Sequence, residues 1–317
     1  MSVSNLARPA AFAAVLALTL GSGGIALAER KITAEGWADS LRHVQVNGTD
    51  LAYLDVGKGE PLVLVHGTSA DYRTWLGELE PLSKQYRVIA YSRRYHFPNK
   101  GGGDGRNYSE ALHERDLAAL IETLGLGKVT LIGHSSGASI ATRVAIDYPE
   151  LVRSLVLAEP TFSQLMVGTK HEEQFDSEWR LVFARAQQSL ANDFPDLGLT
   201  AVAEWAFGDE ALQSMSKTVK KRLMDNASAL KLQMLSNTRS APISRDTIKG
   251  LSCRILYVEG ARSPWHAHAM GDEFVKCLPA TQRIVMKGVS HGMVWDDARG
   301  FSKAVIEFLG RNAMASE

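Results

Sequence analysis

The sequence predicts an α/β fold, a mostly parallel sheet covered by helices on both faces, and three observations support it. Short apolar runs alternate with stretches of helical periodicity, which is how parallel strands joined by helical crossovers read. One run, Pro61-Leu62-Val63-Leu64-Val65, is continuously apolar, as a strand buried on both faces must be. Between Pro160 and Pro242 the strand pattern stops, and the chain turns helix-like and rich in Met, Gln, Leu and Ala. That segment reads as a helical cap inserted into the sheet domain.

The chain of 317 residues opens with Arg8, an apolar segment from Ala10 to Leu20, small residues, and Ala26-Leu27-Ala28 before the charged Glu29-Arg30-Lys31. A basic start, an apolar stretch too short to span a bilayer and an A-x-A site predict a signal peptide at residues 1–28, hence an exported protein, periplasmic or secreted. A retained anchor is the alternative, because Gly21 to Gly24 interrupts the apolar stretch. No cysteine lies near the site to carry a lipid. The remaining residues, about 290, suffice for one α/β core with an insertion. A formal net charge of zero gives no electrostatic reason to expect nucleic acid or an anionic membrane as partner. The two cysteines, Cys253 and Cys277, either pair in an oxidising compartment or remain buried thiols.

Val44 to Val56 reads as a hairpin turning at Asn47-Gly48, with Val44 and Val46 alternating on one arm and Leu51 and Tyr53 on the other. Helical patterns follow at Tyr72 to Ser83 and at Ser109 to Leu124, the second capped by Ser109 and closed by Gly125. Arg87-Val88-Ile89-Ala90 lies between them as a strand. Lys128 to Ile132 is β-prone, Gly133-His134-Ser135-Ser136-Gly137 follows, and Ala138 to Ala145 is helix-prone. A G-x-S-x-G turn between strand and helix raises a serine hydroxyl above the sheet, so Ser135 is the candidate nucleophile. The bland alternative is a serine-rich turn that caps a helix.

A serine nucleophile needs a base. His291, in Val289-Ser290-His291-Gly292-Met293, follows the last strand pattern, Arg283 to Met286, and is the only one of nine histidines so placed. The oxyanion of a tetrahedral intermediate is best met by fixed backbone N–H dipoles. The expected donors are the N–H of Ser136, at the start of its helix, and that of Thr68, in His66-Gly67-Thr68-Ser69 after the strand 61–65. His66 then reads as a buried scaffold residue.

Val65-His66-Gly67, Tyr91-Ser92-Arg93-Arg94-Tyr95, Gly133-His134-Ser135-Ser136-Gly137 and Ser290-His291-Gly292, in that order, resemble the α/β-hydrolase superfamily in its serine-hydrolase, esterase- and lipase-like branch. The resemblance covers residues 41–160 and 246–312, leaves 161–245 as the cap, and implies a sheet of about eight strands. Serine at the nucleophile position speaks against the carboxylate-using dehalogenases and epoxide hydrolases of similar fold. The chain departs from the family pattern after the strand Cys253 to Glu259: where a triad aspartate usually stands, Gly260-Ala261-Arg262 leads to Ser263. The resemblance implies that the strand Ser154 to Ala158 lies beside the one carrying Ser135, so Glu159 at its end is the substitute acid. The alternative is a strand-end carboxylate paired with an arginine or backbone. Asp272 and Glu273 fall inside the helix-like stretch after Ser263 and suit the task less.

The implied activity is cofactor-independent hydrolysis of an ester, lactone or related small-molecule acyl substrate, with no metal. A perhydrolase or haloperoxidase-like enzyme, with peroxide in place of water, would use the same residues, and a binding protein that has lost turnover is the third reading. Phe162, Met166, Phe183, Trp205 and Phe207 are candidate cavity residues from the cap, although apolar residues at helical spacing also serve plain packing. Gly101-Gly102-Gly103-Asp104-Gly105 lacks the strand-to-helix context and terminal Lys-Ser/Thr of a phosphate loop and reads as a surface loop. His266 and His268, two apart on a helix, point to diverging faces and make no metal pair.

Overall fold

A computed structural model describes residues 40–99, 108–209, 211–236, 238 and 241–310. The expected signal peptide and the Gly101–Gly105 run lie outside the described residues. Eight strands form one sheet: β1 (Arg42–Val46), β2 (Thr49–Val56), β3 (Pro61–Val65), β4 (Arg87–Tyr91), β5 (Val129–His134), β6 (Val152–Ala158), β7 (Arg254–Gly260) and β8 (Gln282–Met286). Their order is β1-β2-β4-β3-β5-β6-β7-β8, with β2 antiparallel to both neighbours and every other pair from β4 to β8 parallel. The β1–β2 hairpin turns at Asn47 and Gly48, both at positive φ (43° and 71°), the backbone a two-residue hairpin requires.

The helices are α1 (Leu76–Ser83), α2 (Glu110–Thr123), α3 (Ser136–Asp147), α4 (Glu172–Ala191), α5 (Pro195–Phe207), α6 (Ala211–Ser214), α7 (Lys217–Met224), α8 (Ala227–Leu235), α9 (Arg245–Lys249), α10 (Trp265–Cys277), α11 (Met293–Asp296) and α12 (Ala298–Gly310). Strand side chains alternate between two cores. Val63, Val65, Ile89 and Leu131 meet Leu117, Ile121 and Val144 on one face. Leu62, Leu64, Val88 and Ile132 meet Leu79, Phe301 and Phe308 on the other. Truncating one such leucine to alanine costs about 2–5 kcal/mol, which is why the strand ends are fixed points for chemistry.

Helices α4 to α8 form the cap. It has its own apolar cluster around Leu190, Leu199, Leu223, Leu230 and Met234. Ser109 caps α2 by accepting from Leu112 N–H, as the sequence indicates. Cys253 and Cys277 are both free, and burial pushes the Cys253 thiol up to about 11.

Candidate active site

The strand-to-helix turn at Ser135 is tight. Ser135 has φ 56° and ψ −126°, a sparsely populated conformation for a residue with Cβ that costs on the order of 1–3 kcal/mol. The surrounding backbone holds it, since Ser135 N–H donates to Ala158 O at 2.9 Å across the β5–β6 pair. The two motif glycines are steric requirements. A Cβ at Gly133 would lie 2.4 Å from Ala138 Cα, and one at Gly137 would lie 2.2 Å from Val65 O.

Glu159 directly follows β6, at φ 44°, and its N–H donates to Val258 O of β7 at 3.1 Å. Its carboxylate is buried and accepts three hydrogen bonds: His291 Nδ1 to Oε2 at 2.7 Å, Gly260 N–H to Oε1 at 2.7 Å and Ser263 Oγ to Oε1 at 2.6 Å. Burial alone would raise this carboxyl, but the hydrogen bond and charge of His291, with the donors from Ser263 and Gly260, outweigh it and hold the group below the ordinary value. Ser263, standing where the family pattern has its acid, donates to the carboxylate that bonds His291.

His291 is held from both sides. Its Nδ1 is committed to Glu159, which leaves Nε2 with the free lone pair. Its carbonyl accepts from His134 Nε2 at 2.8 Å, and the two rings lie 4.6 Å apart. Burial, then the neighbouring His291, pulls His134 down to about 3, so this imidazole stays neutral.

His66 is buried scaffold. Its Nδ1 bonds Gly67 O at 2.9 Å while Nε2 accepts from Arg93 N–H at 2.9 Å, and Arg93 Nη2 also donates to Gly67 O at 2.8 Å. In a planar trans peptide the N–H opposes the C=O. The Thr68 N–H accordingly points away from His66 and Arg93, and Gly67 and Thr68 line the cavity. Thr68 Oγ1 donates to Ser136 Oγ at 3.0 Å, which ties the two expected oxyanion donors' residues together.

Ser135, His291, Glu159, Thr68 and Ser136 all border one cavity of about 1090 Å³ between sheet and cap. Phe162, Phe183, Trp205 and Phe207 line it as expected. Met166 does not: it packs against Phe175 and Met270, because the short turn that carries it tucks its side chain beneath the cap. The sequence reading missed His134, Phe175, Trp179, His266 and Trp295 in the lining. Trp295 stands four residues after His291, on the short α11 that follows it, and that closeness in sequence is the one signal that could have found it. Asp272 pairs with Arg283 at 2.6 Å, and Glu273 pairs with Arg245 and Lys276, so both are engaged elsewhere.

The model of the alpha/beta hydrolase fold matches residues 60–293. The chain belongs to that family. Among relatives of this alpha/beta hydrolase, an (E)-2-((N-methylformamido)methylene)succinate hydrolase of Acinetobacter baylyi is 32% identical over 120 residues, 37% of this chain and 44% of that protein. A Bacillus subtilis protein named for 2-succinyl-6-hydroxy-2,4-cyclohexadiene-1-carboxylate synthase is 26% identical over 280 residues, covering 83% of this chain and 96% of its own. The chain thus spans less than half of the first and nearly all of the second. An enol-lactonase from Burkholderia xenovorans superimposes with a TM-score of 0.69 at 18% identity, covering 85% of this chain and all of the other. A thermophilic esterase from Thermogutta terrifontis gives 0.66 at 22%, covering 85% and 98%. These two likenesses establish the fold.

Proposed function

We propose that this alpha/beta hydrolase is an exported serine hydrolase that cleaves an ester, lactone or related acyl substrate through an acyl-enzyme. The observation that carries the reading is the buried Glu159–His291 hydrogen bond of 2.7 Å bordering the same cavity as the strained Ser135 turn. Glu159 fixes the His291 tautomer, leaving Nε2 to take the Ser135 proton as Oγ attacks the carbonyl carbon. The oxyanion accepts from the N–H groups of Thr68 and Ser136. His291 then protonates the leaving oxygen, which departs with the C–O electron pair. Water, deprotonated by His291, attacks the acyl carbon, and Ser135 leaves with the proton restored. The glycines and strand ends supply this geometry before substrate arrives, which is where preorganised dipoles are most effective.

A fluorophosphonate probe with site mapping tests the chemistry: one label per chain at Ser135, absent in Ser135→Ala and greatly slowed in His291→Ala. Rapid labelling of Ser135→Ala would sink the assignment. Export is tested by N-terminal sequencing of protein recovered outside the cytoplasm. A start at Glu29 is expected, whereas Met1 or Ser2 in that fraction would show a retained anchor or another route.

A further inference from the structure

The cavity above Ser135 has a character that acyl transfer by itself does not require. Its cap side is aromatic, with Phe175, Trp179 and Phe183 from α4 and Trp205 and Phe207 from α5. Trp205 and His266 stack face to face, centroids 3.9 Å apart and planes 5° from parallel. Trp179 leans on Trp205 at 5.5 Å, and Phe207 stands between His291 at 5.2 Å and Trp295 at 5.6 Å. Trp179, Trp205 and Phe207 are only half-buried in the protein, so each keeps ring surface that a ligand in the cavity would cover.

Charge is scarce around these rings. Among the described lining residues, Arg180 has a side chain 80% exposed and paired with Asp176 and belongs to the rim, while Glu110, in the first turn of α2, has a carboxyl that burial pushes up, toward its uncharged form. Glu159 is committed to His291. Burial foremost, then the charge of His291, draws His134 and His266 down to about 3 and about 4, and both are neutral near pH 7. The remaining polar groups on that wall are uncharged, among them Gln233, whose buried Oε1 has no partner among the described residues, and Gln187. A carboxylate entering here would lose its water and meet no buried cation among the described lining residues, the buried Arg93 lying behind the sheet-side wall with its Nη2 spent on Gly67 O. A flat uncharged ring would instead gain dispersion contact and offset or edge-to-face packing on several faces at once.

We infer that the substrate part filling the cap cavity is an uncharged, planar aromatic or conjugated group, seated against the Trp205–His266 stack and enclosed by Trp179 and Phe207. This inference rests on the serine-hydrolase reading for its chemistry, but ligand selection by the cavity is separable from turnover. The cavity volume is at the upper end of ordinary small-molecule sites, so a bicyclic or larger ring system is accommodated.

Three matched esters test the inference: methyl 2-naphthoate, its saturated decalin counterpart, and the monomethyl ester of naphthalene-2,6-dicarboxylate. Their binding to the full-length Ser135→Ala protein is followed by tryptophan fluorescence, and their kcat/KM is measured with the unaltered enzyme. 2-Naphthyl acetate and decalin-2-yl acetate repeat the comparison with the ring on the alcohol side. The naphthyl ester should bind and turn over about 10-fold better than the saturated one and about 100-fold better than the carboxylated one, by order of magnitude for stacking and for an unpaired buried charge. Trp205→Leu should erase most of the aromatic-over-saturated ratio and leave the penalty on the carboxylate. If that variant fails to fold, the ranking by the unaltered protein decides alone. Equal or better performance of the carboxylated ester overturns the inference, as does parity of the saturated ester in both ring placements. Failure of Ser135 to label, with ring selectivity in binding preserved, would overturn the hydrolase reading instead.

Discussion

The two walls of the cavity are built on opposite principles. On the sheet wall Ser135 and Glu159 directly follow buried strands while His291 and Thr68 sit on the loops after β8 and β3, and hydrogen bonds fix both the carboxylate of Glu159 and the ring of His291. On the cap wall the contacts are aromatic and half-buried, and the outer surface leaves Leu181, Phe194 and Leu197 exposed. Directional bonds hold the first wall to fractions of an ångström, whereas non-directional packing lets the second adapt in shape. On the proposed function, reaction type belongs to the sheet and substrate choice to the cap.

The largest effects should come from the sheet wall. Ser135→Ala or His291→Ala should lower turnover on any ester by on the order of 10⁴ to 10⁶, measured as kcat, because the residues act as one unit. Cap substitutions that approached such losses on a small acetate ester would break the division between walls. Next is Glu159→Gln, which should lower kcat by roughly 10² to 10⁴ with KM little changed, since a neutral amide neither stabilises imidazolium nor enforces its tautomer. Adding Ser263→Asp to Glu159→Gln should recover part of the rate, because Ser263 Oγ already lies 2.6 Å from the Glu159 carboxylate. In the otherwise unaltered protein the same Ser263→Asp change should lower the rate by setting two carboxylates together. Near-full kcat in Glu159→Gln would leave His291 acting with Ser135 as a dyad.

Legibility follows the same division. The elbow could be read because Gly133 and Gly137 are residue types that close backbone contact demands, and Ser135 stands between them. Strand adjacency pointed to Glu159 once Ser263 stood in the acid's usual place, and the β5–β6 pairing puts His134 beside Ala158, one residue before it. The cap was legible only as helix. Met166 and Phe162 look equally apolar in sequence, yet one packs beneath the cap and the other lines the cavity. Their difference depends on partners distant in sequence, Phe175 and Met270 for Met166 and Phe274 for Phe162, which leave no periodic trace. The stacking of Trp205 on His266 joins residues 61 positions apart and likewise had no local signal.

A smaller effect concerns pH and should strike the sheet domain. Burial foremost holds His66, His96 and His113 well below 6.5 and His134 at about 3. As pH falls through 6.5 the unfolded chain takes up protons that these buried rings refuse, so stability is full above that pH and is lost below it. Each ring can withdraw up to about 2 kcal/mol by pH 5, and the urea midpoint should drop between pH 7 and pH 5. His113→Leu should flatten the drop, since neither ring nitrogen of His113 has a partner among the described residues. An unchanged midpoint across that range would show the rings to be protonated without cost.

The smallest effect tests whether the two walls are independent. Asn226, buried at the α7–α8 junction of the cap, accepts from Phe97 N–H at 2.8 Å and donates to Asp71 Oδ2 at 2.7 Å. Asp71 also holds Arg73 at 2.7 Å and stands three residues after Thr68. A cap residue thereby steadies the loop that carries Thr68, whose N–H is a proposed oxyanion donor. Removing it in Asn226→Ala strands the Phe97 N–H, at a cost of about 1–3 kcal/mol, and takes one of its two donors from Asp71 Oδ2, which keeps Arg73 Nη2. A slightly displaced Thr68 N–H should then lower kcat for 4-nitrophenyl acetate about three- to tenfold, well short of losing the donor outright. Asp225→Ala is the control. It removes the 3.0 Å pair with Arg73 and the 2.8 Å pair with Lys221, both at a partly exposed site, and should change kcat less than twofold. Equal kcat in the two variants, with Asn226→Ala folded by circular dichroism, would show that the cap acts on substrate alone.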